Sequence, residues 1–583
     1  MSPNTVKTPW LKHYGHIPER LEYPDISIVD LVARTAEQHP RRMAIEFMGR
    51  SLTYKKLMAE IDTAARALKA IGVQKGQRVT ICLPNVPQAV VLFYAVNRIG
   101  AVSNMIHPLS SEGEIVHFIR ESGSRVAITL DQFYPKFKAI WSQIELDTLL
   151  IASIADVLSP VKKVAYAATK GRKIALIPQK DTVAHGGKVL FWKDFLRCGV
   201  SYRGPVAEPM RGGDAATILY SGGTTGTTKG ILLSSLNFNA LAMQVSTGAD
   251  CIGPGDTMLA LMPVFHGFGL GICIHTVLTV GACSILIPQF TPKTYAGLLK
   301  KYKPNIIAGV PTLFEALLRI EGIDKLDLSC LKGVFSGGDS LSIELKRKVD
   351  AFLKQCGATI QVREGYGTTE SVTASCLTPK DFHKEGSIGI PLPDCLFKIV
   401  TPLTHDAVPY GQMGEICMTG PTVMQEYIGN PRETAQTLQP HADGLTWLHT
   451  GDLGSMDAEG FIYFKQRLKR VIISSGYNIY PSQLENVIDS FDAVLMSTVI
   501  GVRDEIKMQK VKAFVVLRPE VQDTPAVRQA ILEHCRKNIA KYAMPYEFEY
   551  RENLPKTLVG KVAYIELEKE EEEKRAEQGR QGD

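Results

Sequence analysis

The sequence predicts an α/β fold with largely parallel sheets, and three observations predict it. Hydrophobic spacing switches between periods 3.6 and 2 over residues 51–130. The same alternation returns at Asn305–Val310, Gly333–Ser336 and Thr359–Arg363. The chain is also long and apolar enough, at 583 residues and 45% hydrophobic, to bury several cores. At about 150 residues per domain this length allows two to four domains.

The elements follow in order. Leu57, Ile61, Ala64, Leu68 and Ile71 form a helical stripe that Gly72 stops. Arg78–Leu83 is a β-branched run ended by Pro84. A second helix spans Pro87 to Arg98, with Gly100 as its stop, and Val126–Leu130 is the next strand. Strand, helix, strand at this spacing reads as βαβ units. The longest apolar stretch, Phe268 to Phe290, carries His275, several glycines and Pro288. It reads as a buried helix followed by a strand at Ala282–Ile287, not as a membrane span.

Composition excludes several classes. A net charge of +6 is small for this length, so no nucleic-acid partner is implied. Eleven scattered cysteines with no CxxC pair argue against a disulfide scaffold or a structural zinc site and fit a reducing cytoplasm. The first twenty residues hold no apolar core of the signal-peptide kind. Residues 159–180 carry six basic and no acidic residues, interleaved with apolar ones. They read as a solvated helical hairpin with a basic face, compatible with peripheral contact at the inner membrane face. The charged stretch Glu566 to Asp583 reads as a frayed helix or tail.

The most informative segment follows the strand end Ile218–Tyr220. Ser221, Gly222, Gly223, Thr224, Thr225, Gly226, Thr227, Thr228 and Lys229 place three glycines, five hydroxyls and one lysine in a single turn. Glycines let backbone N–H groups approach an anion, hydroxyls donate to phosphate oxygens, and lysine supplies charge. The set suits a triphosphate, although the Walker A order is absent.

This loop resembles the phosphate loop of the adenylate-forming superfamily, which includes acyl-CoA synthetases, nonribosomal adenylation domains and luciferases. The usual form is YTSGTTGxPKG; here Gly222 replaces serine and Thr228 replaces proline. Further motifs follow in the family's order over residues 30–565. Glu364-Gly365-Tyr366-Gly367-Thr368-Thr369-Glu370 supplies a ring for stacking on a purine, a hydroxyl for the α-phosphate in Thr369, and in Glu370 a hard oxygen ligand for Mg²⁺. Gly338 and Asp339 stand where relatives run backbone along adenine. The resemblance carries Asp452 of Thr450-Gly451-Asp452, with Arg467, over to the ribose, and His266 of Val264–Gly269 to the path of carboxylate and thiol. Gly267 and Gly269 would leave space in the wall of the acid pocket. Lys561, in Pro555–Lys561, matches the catalytic lysine.

The resemblance implies a large N-terminal domain with a β-barrel-like subdomain, residues 1–468, and a small mobile α+β C-terminal domain, residues 469–583. Lys469 occupies the hinge position and Gly476 the pantetheine tunnel. It further implies ATP, Mg²⁺ and coenzyme A as cofactors. Two steps are expected: adenylation of a carboxylic acid with loss of pyrophosphate, then thioester formation with loss of AMP. A long- or medium-chain fatty acid is the expected substrate. An aryl or steroid acid, or loading of a carrier protein, is the alternative.

Overall fold

Described here is a computed structural model covering residues 6–169, 182–183, 187–221, 228–289, 291–320, 322–474, 477–504, 507–557 and 561–580. Two nine-stranded sheets dominate it. In the first, six adjacent strands run parallel: Val362–Tyr366, Gly333–Gly337, Ile306–Gly309, Thr257–Ala260, Cys283–Leu286 and Met43–Phe47. In the second, the parallel set is Ala215–Tyr220, Val102–Met105, Arg78–Cys82, Val126–Leu130, Thr148–Ala152 and Gly187–Phe191. Short antiparallel strands complete both edges.

The helices sit where the periodicity places them. Tyr54–Ala70 starts at Thr53, whose hydroxyl accepts the Lys56 N–H, and it buries Leu57, Ile61, Ala64 and Leu68. Gly72, at φ +98°, lets the chain turn away beyond its end. Pro87–Arg98 is buried along its length, against the helices Ile28–Gln38 and Tyr54–Ala70 and the strands Arg78–Cys82 and Val102–Met105. The apolar stretch after Gly267 forms a wide-turn helix over Phe268–Thr276, and the strand Cys283–Leu286 follows it. No described helix is long and apolar enough to cross a membrane.

A third, antiparallel sheet is built from Leu396–Val400, Gly414–Thr419, Thr446–Met456, Leu438–Pro440 and Ile462–Arg467. It stands where a barrel-like unit was expected, and its ladder among the described residues is an open path. A fourth sheet holds Ile472–Ser474, Tyr477–Ile479, Val494–Asp504, Met508–Leu517 and Glu547–Tyr550, with a core formed from residues beyond Val471. The C-terminal stretch is more ordered than its composition implies. The helix Tyr564–Arg580 buries Leu567 completely. Its Glu571 joins Glu547 and Glu549 around the buried Lys512, at 2.8–3.0 Å. A charged segment packs here because its acids meet a buried cation, which composition alone does not reveal. Of the basic segment, Pro160–Thr169 is helical, and residues 170–180 lie outside the described residues.

The N-terminal turn Pro9–His13 straps the third sheet. Trp10 is 1% exposed and shares a core with Phe397, Phe461 and Ile462. A Cβ on Gly460 would stand 2.6 Å from the Trp10 nitrogen. Replacing Trp10 by alanine is expected to destabilise the fold by about 3–5 kcal/mol, the usual cost of emptying a buried aromatic site. Urea unfolding followed by fluorescence measures this, and an unchanged midpoint would show that the strap contributes nothing.

Candidate active site

Three of the motifs leave the carboxyl ends of parallel strands in one sheet, where ligands bind in open α/β sheets. Val264–Gly269 follows Thr257–Ala260, Gly338-Asp339 follows Gly333–Gly337, and Gly367–Glu370 follows Val362–Tyr366. The register aligns Gly337 with Gly365. A Cβ on Gly337 would already touch the Gly365 carbonyl at 3.0 Å.

The glycines after His266 do not widen the pocket as expected. A Cβ on Gly267 would fall 1.7 Å from the Val372 carbonyl oxygen, and one on Gly269 2.0 Å from that of Pro263. The room they leave is taken by backbone. Gly367 behaves alike, against Thr373 O at 2.1 Å. This close packing accompanies a strained residue. Val372 has φ +65°, which a β-branched side chain rarely adopts. His266 accepts the Phe268 N–H at Nδ1, 3.1 Å, so its proton sits on Nε2. Burial and the nearby Lys561 charge push this imidazole down to about 3, so it stays neutral at physiological pH.

Asp452 is the buried anion of the site, 2% exposed. It lies directly across the ladder from Arg467. The Tyr366 hydroxyl donates to Oδ2 at 2.7 Å. Arg467 Nε approaches Oδ1 at 2.9 Å, but off the axis of a hydrogen bond, so Oδ1 keeps an unmet acceptor position. Burial raises the Asp452 carboxyl above its usual range, while Arg467 and the tyrosine hydroxyl oppose the rise. The Tyr366 ring is 9% exposed and packs near Phe397 and Phe464, with centroids 6.5 and 6.0 Å away. It therefore anchors Asp452 and has little free face.

Lys561 arrives from the last domain. The Thr557 N–H donates to the Lys561 carbonyl at 2.7 Å, and the Lys561 N–H donates to Thr557 Oγ1 at 3.1 Å. A Cβ on Gly338 would stand 3.6 Å from Lys561 Cε. Burial lowers the ammonium below its ordinary range. Asp339, Asp452 and Glu370 act against that shift, and Arg467 adds to it. Lysine, two aspartates and a glutamate drawn from four distant segments thus share one electrostatic neighbourhood.

Lys229 forms an ion pair with Glu433 and stands 5.0 Å over the Tyr427 ring. The Tyr427 hydroxyl in turn donates to Glu370 Oε1 at 2.7 Å. Ser221 donates its N–H to the Lys229 carbonyl at 3.2 Å, pinching the base of the loop, and Thr228 offers its carbonyl to His117 Nε2 at 3.4 Å. Gly222, Gly223, Thr224, Thr225, Gly226 and Thr227 lie outside the described residues, as does Gly476. Tyr427 and Glu433 went unnoticed in the sequence, since nothing in their spacing ties them to Glu370 and Lys229. Thr368 donates its N–H to Ser371 Oγ at 3.2 Å and so shapes the short helical turn Thr369–Ser371 that carries Thr369. Glu364 does not join the cluster. Its charged neighbours are Lys346 and Asp350, and burial pushes its carboxyl up to about 8. Lys469 sits in the single turn Leu468–Arg470 between the third and fourth sheets.

An apolar cavity runs inward from this centre. Ser336, Gly337 and Gly338 form one part of its wall, and Phe268, Ile272, Met258, Cys251 and Leu392 line others. The space between atoms here is about 690 Å³, counting open solvent at the mouth.

The AMP-binding enzyme family matches residues 32–428, and the AMP-binding enzyme C-terminal domain matches residues 483–561. The chain is 34% identical to a long-chain-fatty-acid–CoA ligase of Bacillus subtilis, over 97% of this chain and 98% of the relative. It is 30% identical to one of Salmonella typhimurium, over the same shares. Among solved structures, the anthranilate CoA ligase AuaEII in complex with anthranoyl-AMP superposes with a TM-score of 0.80 at 24% identity, covering 95% of this chain and 98% of that one. ATP-bound MatB from Rhodopseudomonas palustris superposes with a TM-score of 0.75 at 25% identity, covering 93% and 98%. The chain belongs to the AMP-binding enzyme family and is an AMP-forming acyl-CoA ligase.

Proposed function

We propose that this ligase activates a long- or medium-chain fatty acid and transfers the acyl group to coenzyme A. The observation that carries the reading is the apolar cavity, whose wall includes Gly338, next to Lys561. An alkyl chain lying there would present its carboxylate to the lysine. The relatives named as long-chain-fatty-acid–CoA ligases support the same acid.

The residues have work that fits this chemistry. A carboxylate is a poor acyl donor until its oxygen becomes a good leaving group, which attack on the α-phosphorus of ATP achieves. Such transfer needs positioning and charge neutralisation more than covalent help. Lys561 would hold the carboxylate and α-phosphate together against their repulsion. Asp452 Oδ1, buried and without an aligned donor, would take a ribose hydroxyl. His266 would direct its Nε2–H at the acyl carboxylate, since Nδ1 is already occupied. Thr369 would donate to the α-phosphate. Lys229, held at Tyr427, would turn from Glu433 to the outer phosphates. Gly338 and Asp339 would run beside adenine.

Glu370 fits a magnesium ligand. Tyr427 fixes Oε1, and Oε2 has no hydrogen-bond donor among the described residues. A magnesium ion bound there would neutralise phosphate charge, as its preference for one or two carboxylates plus phosphates allows. For the second step, the unit beyond residue 468 would rotate about Lys469, withdraw Lys561 and bring Gly476 to the thiol's path. Large changes of this kind need only a few backbone dihedrals. Peripheral contact with an anionic lipid surface belongs to the same proposal. Val161 and Val164, on the helix that carries Lys162 and Lys163, are 81% and 72% exposed.

Pyrophosphate release over a panel of acids, with and without coenzyme A, tests the substrate. Long and medium alkyl acids are expected to lead, and an aryl acid leading instead would overturn the choice. Lys561→Ala is expected to slow adenylate formation by about 10²–10³-fold, the usual effect of removing a donor to transition-state charge. It should spare thioester formation from supplied acyl adenylate, and equal loss of both steps would contradict two alternating faces. Lys469→Pro should leave adenylation intact and impair thioester formation. Unchanged overall turnover would exclude a hinge there.

A further inference from the structure

Three imidazoles meet in the third sheet, on groups the adenylation chemistry does not use. His449 lies on Thr446–Met456, His441 follows Leu438–Pro440, and His405 sits on the turn after Leu396–Val400. His441 Nε2 and His449 Nε2 are 2.9 Å apart. The His405 ring stacks on His441 with centroids 4.0 Å apart and planes at 16°. One ring nitrogen from each lies within 4.8 Å of the others.

The surroundings prepare these rings as ligands. His449 Nδ1 lies 3.0 Å from Glu415 Oε2, and both side chains are 7% exposed. The Glu415 carboxylate can only accept there, so the proton sits on Nδ1 and the Nε2 lone pair faces His441. A carboxylate behind a histidine is the usual second layer of a metal site, where it fixes tautomer and orientation. His441 is itself 7% exposed, and its Nδ1 is buried with no hydrogen-bond partner. The Lys398 charge is offset by Asp443 at 2.8 Å. His405 is exposed and provides access from solvent.

We propose that His405, His441 and His449 form a site for a divalent first-row transition ion of the zinc class, with Glu415 orienting His449 from behind. Imidazole suits zinc, cobalt, nickel and copper and is a poor match for magnesium. Three protein nitrogens leave at least one position open to water or a solute donor. His405 completes the set by tilting its ring off the stack, which an exposed turn permits. Cys417 Sγ lies 3.5 Å from His449 Nδ1, on the Glu415 side, away from His449 Nε2. The site is coupled to the ribose turn by one hydrogen bond, from the Gly451 N–H to Glu415 Oε1 at 2.9 Å.

Cobalt(II) is the probe. Full-length protein, stripped with a chelator and desalted, is titrated with Co²⁺ and followed by visible absorption. One equivalent should give d–d bands of a nitrogen-ligated site without thiolate charge-transfer bands. Zinc should bleach them and millimolar Mg²⁺ should not. His441→Gln should abolish the bands. His405→Ala, on an exposed turn, should keep its fold by circular dichroism and its pyrophosphate release while weakening cobalt binding at least about tenfold. The proposal fails if the unaltered chain shows no stoichiometric d–d spectrum, if both variants bind as it does, or if thiolate bands place the metal on cysteine.

Discussion

The candidate site rests on backbone packed against backbone at the carboxyl ends of three parallel strands. Gly267 lies against the Val372 carbonyl and Gly367 against that of Thr373, at separations where no Cβ fits. This contact draws the loop bearing His266 onto the loop bearing Thr369 and Glu370. It also holds Val372 in a conformation costing on the order of 1–3 kcal/mol, which only a packed surround sustains. With those loops locked together, the strand Gly333–Gly337 delivers Gly338 and Asp339 to the same opening. A small shift in register would scatter groups that must act on one phosphorus atom.

Electrostatics supplies the second constraint. Asp452 is buried at 2% exposure and stays tolerable because Arg467 and the Tyr366 hydroxyl meet it. A buried charge with a missing partner is costly, so the unmet Oδ1 is a place where a ligand hydroxyl gains more than it would in water. Lys561 meets the converse condition. Burial disfavours its charge, and three carboxylates from other segments offset that. The lysine is therefore poised by groups outside its own domain, so its charge state depends on how that domain is seated.

Two side chains of the site have partners that their sequence positions do not disclose. Tyr366 reads in sequence as a stacking platform, yet its ring is packed and its hydroxyl holds Asp452. Lys229 reads in sequence as positive charge for a phosphate, and in the structure it is paired with Glu433 over Tyr427. Both differences have one cause: a side chain's partners come from segments far away in the chain. Glu370 and Tyr427 lie 57 positions apart, and Lys229 and Glu433 lie 204 apart. The charged C-terminal helix differed for the same reason, since Lys512 recruits Glu571 across the fourth sheet.

Local pattern alone determined the α/β class, the helix over Tyr54–Ala70 with its buried stripe, the strand ends that carry the glycine-rich turns, and the fitness of one such turn for a triphosphate; the adenylate-forming chemistry came from the resemblance of those turns to a known family. These depend on residue types within a few positions of one another, through backbone periodicity and the conformational freedom of glycine. Tertiary structure decided which oxygen of Asp452 is left unmet, that the glycines beside His266 accommodate backbone, and that three histidines separated by up to 44 positions converge behind the ribose turn. Those outcomes depend on the distance between segments after packing, a quantity that no local window of sequence contains.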